Sequence, residues 1–360
     1  MSLQKIIPVT SAVLHYNRPL AKVGSYGYWL QPQAHGHLMN VRKKQTTVLK
    51  TKKEKLRKYV ITQYAQYVKD YTAMFAEKFP NAMKMYKVFS VGIKEFLNDL
   101  KRYISLRVKI AKDKGFAKLS HEEIKLYQKM PSDMWKIAPV LILSAIPLGN
   151  YIIFPLAFMK PRALLCSHFW SIQQKSEFSI LELKERLRHN KPVFRALQSK
   201  VDSIPDGKEK EIWCGIIASM SSGVHPQLND IIMCKSLFTK EPYHLEHLSF
   251  AHLGHLLKMH GMNKGIFRWQ KLKNRAFILL EMDKAIIREG GVKSLSTEGL
   301  QNACLIRGLN SQHLSNWDMK IWLQKWLDVS ECVNKTSYSL ILHLPILISY
   351  NHPQNWKLIY

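Results

Sequence analysis

Five histidines crowd one stretch of the chain, and imidazole is the commonest protein ligand for zinc and copper. They are His244, His247, His252, His255 and His260. On a helix, His244, His252 and His255 would fall within about 80° of one another, since successive residues rotate by about 100°. However, no cysteine adjoins them, and Glu246 is the only nearby carboxylate. We therefore predict no metal site and interpret these histidines as a solvated or partner-facing side of a helix.

The sequence contains none of the short motifs that most often accompany catalysis. G-x-x-x-x-G-K-[ST], G-x-S-x-G, H-E-x-x-H and G-x-G-x-x-G are all absent. Asp202–Gly207 begins like a calcium-binding EF-hand loop, but Trp213 stands where a bidentate glutamate is required. We predict that the protein is not an enzyme and has no cofactor, metal or small-molecule substrate.

One uncharged stretch, Ile137–Met159, divides the chain. Its 23 residues, IAPVLILSAIPLGNYIIFPLAFM, include no Asp, Glu, Lys, Arg or His. As a helix it would be about 34 Å long, enough to cross a hydrocarbon core of about 30 Å. Pro139, Pro147 and Pro155 would kink such a helix, which transmembrane helices tolerate where neighbours satisfy the freed carbonyls. We predict a single proline-kinked transmembrane helix over 137–159, with a re-entrant or buried element as the alternative.

The part of the chain before this stretch is strongly basic. The formal net charge of the whole chain is +28, and no acidic residue precedes Glu54. Such an excess suggests anionic lipid or nucleic acid as a partner, although a solvated basic surface explains it equally well. An acid-poor, hydroxyl-containing N-terminus is typical of mitochondrial presequences. We predict a targeting segment over 1–53, with a disordered basic arm as the alternative.

Residues 54–136 are predicted to form an N-terminal helical region. Aromatic side chains recur at helical spacing from Tyr64 to Phe79, and a second periodic run covers Met83–Ile110. Ser120 and Glu123 form a capping box that starts a third helix, which is expected to stop at Pro131.

Helical periodicity also dominates residues 160–360, where no run alternates with period two for long enough to need a sheet. The five cysteines are scattered and never spaced C-x-x-C, as expected of free thiols in a reducing compartment. The fold is predicted to be all-α. The expected helices are Gln174–His189, Pro192–Val201, Glu209–Ser221, Leu228–Phe238, Leu245–His260, Trp269–Glu289, Ser296–Arg307, Asp318–Leu327 and Ser337–Ser349.

Several of these residues carry a family resemblance. Pro147, Asn150 and Pro155, the motif DKAIIREGGVKSLSTEGLQNACLIRGL (Asp283–Leu309) and IWLQKWLDVS (Ile321–Ser330) resemble the LETM family. These are leucine-zipper/EF-hand-containing transmembrane proteins of the mitochondrial inner membrane, and the chain most resembles its short members without the EF-hand tail. The resemblance implies a single-pass protein whose residues 160–360 form a matrix domain, termed ribosome-binding and similar in fold to 14-3-3 proteins.

The resemblance also implies a function. We expect a membrane-tethered scaffold that binds the mitochondrial ribosome or an assembly factor and supports mitochondrial structure and respiratory-chain biogenesis. Participation in potassium/proton or calcium/proton exchange, as a homo-oligomer with Pro147 and Asn150 lining a pathway, is the alternative. Asn150 stands where the family has an acidic residue, and an amide cannot carry a proton. An outer-membrane location is a further alternative, because basic residues near the span are almost balanced between its two sides.

Seven basic residues are predicted to contact the partner. A basic surface for rRNA or anionic lipid is expected from Lys258, Arg268, Lys271, Lys273 and Arg275, with Lys293 and Arg307 exposed in the family motif. The competing interpretation of Asp283–Leu309 is a helix-turn-helix packing unit. In that interpretation the Gly290–Gly291 pair ends one helix and Ser296 caps the next.

Overall fold

A computed structural model describes residues 80–113, 115–144, 146 and 149–359, together with the single positions 59, 62, 63 and 66. Every regular element in these ranges is helical, which confirms the predicted all-α class. The chain forms two units, Met1–Pro80 and Asn81–Tyr360, and almost all described residues belong to the second. The predictions for 1–53 and for the stripe from Tyr64 to Phe79 lie outside the described residues.

The described part of the chain contains fourteen α-helices. They are α1 (Pro80–Asp113), α2 (His121–Ser144), α3 (Gly149–Met159), α4 (Pro161–Leu164), α5 (Ile172–Leu187), α6 (Asn190–Gln198), α7 (Lys208–Ser221), α8 (Leu228–Met233), α9 (Phe250–Met259), α10 (Arg268–Arg288), α11 (Thr297–Ile306), α12 (Asn316–Cys332), α13 (Tyr338–Ser349) and α14 (Pro353–Ile359). Short 3₁₀ turns cover Ser167–Phe169, Val201–Ser203, Cys234–Phe238, Leu245–His247, Gly291–Lys293 and Lys335–Ser337.

Most predicted helices beyond residue 160 are present with small shifts at their ends. The main exception is Leu245–His260, which divides into a 3₁₀ turn and α9. Ser249 adopts an extended conformation, and its hydroxyl accepts the backbone N–H of His252. Because Ser249 caps α9 at this point, His244 and His247 lie outside the helix that carries His252 and His255.

The uncharged stretch does not form the single helix predicted for Ile137–Met159, and that prediction is wrong. Helix α2 continues through Pro131 and Pro139 and ends at Ser144, while α3 begins at Gly149. Ile146, between the two helices, is not helical. The sequence has proline at the next position, and a proline disfavours helical dihedrals in the residue before it. None of the helices in the described ranges has the length and apolarity that a membrane crossing requires.

Helix α2 was expected to stop at Pro131 but continues because one of its faces is buried. Met130, Asp133, Ile137 and Val140 lie on that face at intervals of three and four residues. The start of α2 agrees with the prediction: Ser120 Oγ accepts the Glu123 N–H at 3.1 Å, and Glu123 Oε2 accepts the Ser120 N–H at 2.8 Å. Burial of this face outweighs the backbone hydrogen bond that Pro131 removes.

The second half of α2 and helix α3 pack against each other, and we call residues 137–144 and 149–159 the apolar helix pair. Ile137 and Val140 of α2 share a buried cluster with Ile153 and Ala157 of α3. The opposite sides of both helices carry exposed apolar side chains, namely Leu141, Ile142, Leu143, Ile152, Leu156 and Met159. The pair therefore buries one side within the protein and leaves an apolar side uncovered.

Helix α10 is the central element of residues 160–359, the part of the second unit that we call the helical domain. It packs against α2, α9, α12 and α13, and ten of its residues are buried. Beside it, Trp213 Nε1 donates a hydrogen bond of 2.9 Å to the Tyr243 hydroxyl, which donates in turn to the Leu197 carbonyl at 2.6 Å. All twelve residues of α13 are buried, in keeping with its almost wholly apolar sequence.

A buried carboxylate joins three helices inside this domain. Asp283 of α10 accepts hydrogen bonds from the Arg307 guanidinium, just beyond α11, through Nε at 3.0 Å and through Nη2. Its second oxygen accepts Trp326 Nε1 at 2.9 Å and the Ser330 hydroxyl at 2.5 Å, both from α12. Both charged side chains are fully buried, and each is paired and hydrogen-bonded, as burial of a charge requires.

We expect Asp283→Ala to lower the free energy of unfolding by about 3–5 kcal/mol, because it leaves the Arg307 charge buried without its partner. Chemical denaturation of the purified chain measures the change. Lys284→Ala is the matched control: it removes an exposed member of the adjacent pair with Glu281, and we expect a loss of under about 1 kcal/mol. Equal losses for the two variants would contradict a structural role for Asp283.

Candidate functional site

A group of cations surrounds the start of α6 and one side of α9, and we call it the basic face. It comprises Arg188, Lys191, Arg195, Lys258, Lys264 and Arg268. Three of them, Arg188, Lys191 and Arg195, line an open cleft of about 450 Å³ together with Ser249 and His255. Lys258 and Lys264 lie close enough to the His189 ring to lower its pKa, although burial has the larger effect.

The first three cations lie at the junction of α5 and α6. Arg188 ends α5 and lines the cleft. Lys191 and Arg195 are four residues apart on α6 and project in one direction, while Val193, Phe194 and Leu197 of that helix enter the core. Helix α6 is therefore amphipathic, and its polar side forms one wall of the cleft.

Gly254 allows two further cations to approach α9 closely. A Cβ at this position would lie 2.9 Å from Arg268 Nη1 and 3.5 Å from Lys264 Cε. Arg268 also places its guanidinium carbon 3.4 Å from the centre of the Phe250 ring and donates Nη1 to the Phe250 carbonyl at 2.8 Å. Arg268 is thus held flat against an aromatic ring at the edge of the basic face.

Apolar side chains lie exposed next to these cations. Phe250, Ile266, Phe267 and Trp269 are all exposed to solvent. Phe267 adopts a left-handed backbone with φ of 59°, which is rare for a large side chain. Lys273 Nζ lies 5.5 Å from the centre of the Trp269 ring. Exposed rings interleaved with cations are the combination that stacks on unpaired bases while neutralising phosphates.

The cations of the basic face form no ion pairs within the part of the chain that the structure describes. Arg268 donates to the backbone carbonyls of Gly265 and Phe250 rather than to a carboxylate. Uncompensated cations around a cleft give a positive potential that attracts an anionic partner.

The seven predicted partner-binding residues are distributed differently from expectation. Lys271, Lys273 and Lys293 are exposed, and Lys258 and Arg268 are partly exposed. Arg275 and Arg307 are buried, so the expectation that they are exposed is wrong. Arg275 Nη2 donates to the Ile306 carbonyl at 3.4 Å, near Arg186, which bonds the Leu305 and Ile306 carbonyls. Arg275 and Arg186 thus donate hydrogen bonds to carbonyls at the end of α11, which have no partners within the helix.

Sequence reasoning missed four cations of the basic face: Arg188, Lys191, Arg195 and Lys264. For Lys191 and Arg195 a signal existed, because KPVFRAL places them four residues apart next to the apolar residues of α6. Arg188 had no signal of this kind, since it ends α5. Lys264 had no such signal, since only the packing of the 261–267 loop over Gly254 brings it to the face.

The five crowded histidines do not form a single solvated side. His252 and His260 are buried. His343 of α13 is also buried, and its ring contacts the ring of His252. His343 Nδ1 donates to the Ser339 carbonyl at 2.7 Å, so its Nε2 accepts the N–H of His252 Nε2 at 2.9 Å. Burial lowers the pKa of His252 to about 2 and that of His343 to about 4. Both rings are therefore neutral, and they serve packing.

Metal-ligating side chains converge at a different place. Within the described ranges, the group whose donor atoms lie within 4.8 Å of one another comprises Asp133, Cys166 and His168. Asp133 comes from α2, Cys166 directly precedes the 3₁₀ turn that follows α4, and His168 lies within that turn. Burial raises the pKa of the Cys166 thiol to about 11 and also raises that of Asp133.

Comparison with known families and proteins supports the resemblance seen in the sequence. Residues 119–347 match a family described as LETM1-like, RBD. The chain is similar to LETM1 domain-containing protein 1 of Xenopus tropicalis, with 29% identity over 83% of this chain and 86% of the relative. The protein of that name from Homo sapiens is 25% identical over 82% of this chain and 83% of its own length.

A more distant similarity concerns a protein with a different name. The Mitochondrial proton/calcium exchanger protein of Drosophila melanogaster is 25% identical over 242 residues, which are 64% of this chain but only 23% of the relative. None of these three relatives carries the name of an enzyme.

Because His252 and His343 are buried as neutral rings, we predict that the free energy of unfolding decreases as the pH is lowered. Because the folded-state pKa values of His252 and His343 lie below the ordinary 6.5, the unfolded chain binds more protons below that pH. The free energy of unfolding should therefore fall between pH 6.5 and about 4, by up to about 1.4 kcal/mol per pH unit for each histidine. Denaturant titrations at several pH values measure this slope.

The matched variants are His343→Gln and His313→Asn. The first removes one buried titrating ring and should reduce the slope near pH 5, whatever it does to stability itself. His313 is exposed and has a left-handed backbone that asparagine accepts, so this variant should keep the slope of the parent chain. An unchanged slope in His343→Gln would show that this ring is accessible to protons in the folded state.

Proposed function

The chain belongs to the LETM1-like family, and from that premise we propose that it is a membrane-attached mitochondrial scaffold whose helical domain binds the ribosome through the basic face. The observation that carries this proposal is the uncompensated charge of that face beside exposed aromatic rings. Ribosomal RNA presents both phosphates and unpaired bases, which are the groups such a face would bind.

We propose mitochondria as the location, with attachment to the inner membrane and the helical domain in the matrix. The relative from Drosophila melanogaster carries the word mitochondrial in its name. The absence of acidic residues before Glu54 supports import by a targeting segment. In the matrix the basic face would meet mitochondrial ribosomes, and the proposed scaffold would support respiratory-chain biogenesis and membrane structure. Attachment to the outer membrane is the alternative.

The apolar helix pair is the proposed site of membrane attachment. Its exposed side carries Leu141, Ile142, Leu143, Ile152, Leu156 and Met159. No charged residue occurs in the sequence between Lys136 and Lys160. Helix α3 has 11 residues and is therefore about 16 Å long, enough to enter one leaflet. Lys129, Lys136, Lys160 and Arg162 flank the pair and would meet anionic headgroups. The pair would thus be inserted into the membrane while its buried side stays on the protein.

The first prediction of this proposal concerns lipid binding. Replacing Ile142 and Ile152, which are 65% and 73% exposed, by asparagine should weaken flotation of the full chain with anionic vesicles by at least about tenfold. The reason is that transfer of two isoleucine side chains from water into lipid contributes about 3 kcal/mol to binding, and the double variant lacks this contribution. The control is Ile172→Asn, which changes an isoleucine on α5 that is 88% exposed and should float like the parent chain. If the double variant floats as well as the parent chain, the apolar helix pair is not the site of membrane attachment.

The second prediction concerns the ribosome. The full chain should co-sediment with mitochondrial ribosomes at low salt, with an affinity that falls steeply as salt increases. Replacing Lys191 and Arg195 by alanine should weaken binding and reduce the salt slope by about two, since each removed cation releases about one fewer counterion.

The control for the ribosome experiment removes the same charge elsewhere. Lys284 and Lys325 are exposed and lie on α10 and α12, outside the basic face, so their double alanine variant should bind like the parent chain. If both double variants lose the same affinity, the effect is one of net charge and the basic face is not the binding site. If no chain sediments with ribosomes at low salt, the ribosome is not the partner.

Cation/proton exchange remains a second prediction with less support. It rests on the name of the Drosophila melanogaster relative, of which the match covers less than a quarter. Asn150 lies in the first turn of α3 and has no titratable group with which to carry a proton. We therefore favour the scaffold.

A further inference from the structure

Three side chains of different chemistry meet at the base of the apolar helix pair. Asp133 belongs to α2, four residues before the pair begins, and Cys166 and His168 follow α3 and α4. His168 Nδ1 lies 3.4 Å from Cys166 Sγ and 3.8 Å from Asp133 Oδ2. A carboxylate, a thiol and an imidazole thus face a common point from two separate stretches of chain.

These separations fit tetrahedral coordination of zinc. With Zn–S near 2.3 Å and Zn–N and Zn–O near 2.05 Å, a tetrahedral site places sulfur and nitrogen about 3.6 Å apart, and nitrogen and oxygen about 3.3 Å apart. The observed distances of 3.4 and 3.8 Å differ from these values by about 0.2 and 0.5 Å. All three donor atoms lie within 4.8 Å of one another.

The His168 ring is already oriented as a metal ligand. Its Nε2 lies 3.1 Å from Asp99 Oδ2 of α1 and donates its proton there, which leaves the lone pair of Nδ1 directed at Cys166 and Asp133. A carboxylate behind the far nitrogen of a histidine is the usual outer partner of a metal-bound imidazole. Phe96 of α1 also holds the ring, edge to face at 5.7 Å between centres.

Asp133 supplies an independent indication of a ligand. The residue is only 5% exposed, and its Oδ2 atom has no hydrogen-bond partner among the described residues. Buried carboxylate oxygens without a partner are costly and rare in folded proteins. Lys129, one turn earlier on α2, donates Nζ to Ser167 Oγ at 2.5 Å and makes no hydrogen bond to this oxygen. A cation between Asp133, Cys166 and His168 would satisfy the orphaned oxygen.

We propose that Asp133, Cys166 and His168 bind a zinc ion, with water in the fourth position and Asp99 as a positioning residue. Thiolate and imidazole ligands select zinc over calcium and magnesium, which prefer oxygen alone. On binding, the Cys166 thiol loses its proton to solvent and forms the Zn–S bond. The ion would tie α1 and α2 to the segment that leaves the apolar helix pair, and so fix the pair at its base.

The test uses the full-length chain, stripped with a chelator and then equilibrated with zinc or cobalt. We expect about one zinc per chain by elemental analysis and a higher melting temperature with zinc than without. Cobalt should give the intense visible bands of a tetrahedral site and a thiolate-to-cobalt charge-transfer band. Asp99→Asn should weaken the metal affinity about 10–100-fold while keeping that band, as expected for loss of an outer partner.

Matched variants separate this site from adventitious binding. Cys166→Ser should abolish the charge-transfer band, and the isosteric Asp133→Asn should lose the stabilisation by zinc. Cys214→Ser, which changes an exposed cysteine of α7, should retain both. A parent chain without stoichiometric metal, or a band that survives in Cys166→Ser, would overturn the proposal. Should Cys166→Ser fail to fold, the parent spectrum and the affinity of Asp99→Asn decide the question.

Discussion

The buried pair of Asp283 and Arg307 is the interaction on which the helical domain depends. A carboxylate can be removed from water only if its charge and its oxygen lone pairs are satisfied, and here three helices contribute to that end. Arg307 donates to one oxygen, and Trp326 and Ser330 donate to the other. Arg307 also donates Nη1 to the Ala303 carbonyl at 2.9 Å. The pair therefore sets the relative positions of α10, α11 and α12.

The same central helix connects the domain to the helices that precede it. Leu106 of α1 and Ile124 of α2 share a buried cluster with Ile278 and Met282 of α10. At the end of α10, Glu289 accepts the backbone N–H of His121 at 2.7 Å, and the adjacent Arg288 donates to the Leu119 carbonyl. Helix α2, which contributes half of the apolar helix pair, thus packs directly against the domain that carries the basic face.

The sequence predicted the helical class and most helix bounds beyond residue 160, because apolar periodicity and capping residues act locally. Ser120 with Glu123 starts α2 as expected, and Gly290 and Gly291, both with positive φ, separate α10 from α11. Ser296 then caps α11 by accepting the Gly299 N–H at 3.1 Å. The motif Asp283–Leu309 identified the family, and its interpretation as a helix-turn-helix packing unit agrees with the burial of Arg307.

What the sequence alone determined is therefore the all-α class, most of the helices beyond residue 160, the uncharged stretch and the excess of basic charge. Only the tertiary structure decided which charges are exposed: Arg275 and Arg307 turn inward to bond backbone carbonyls and Asp283, whereas Arg188, Lys191 and Arg195 remain in solvent. It also divided Ile137–Met159 into two packed helices and brought Asp133 next to Cys166 and His168. The physical reason is that local pattern specifies a helix and its apolar side, while burial, pairing and convergence depend on partners distant in the chain.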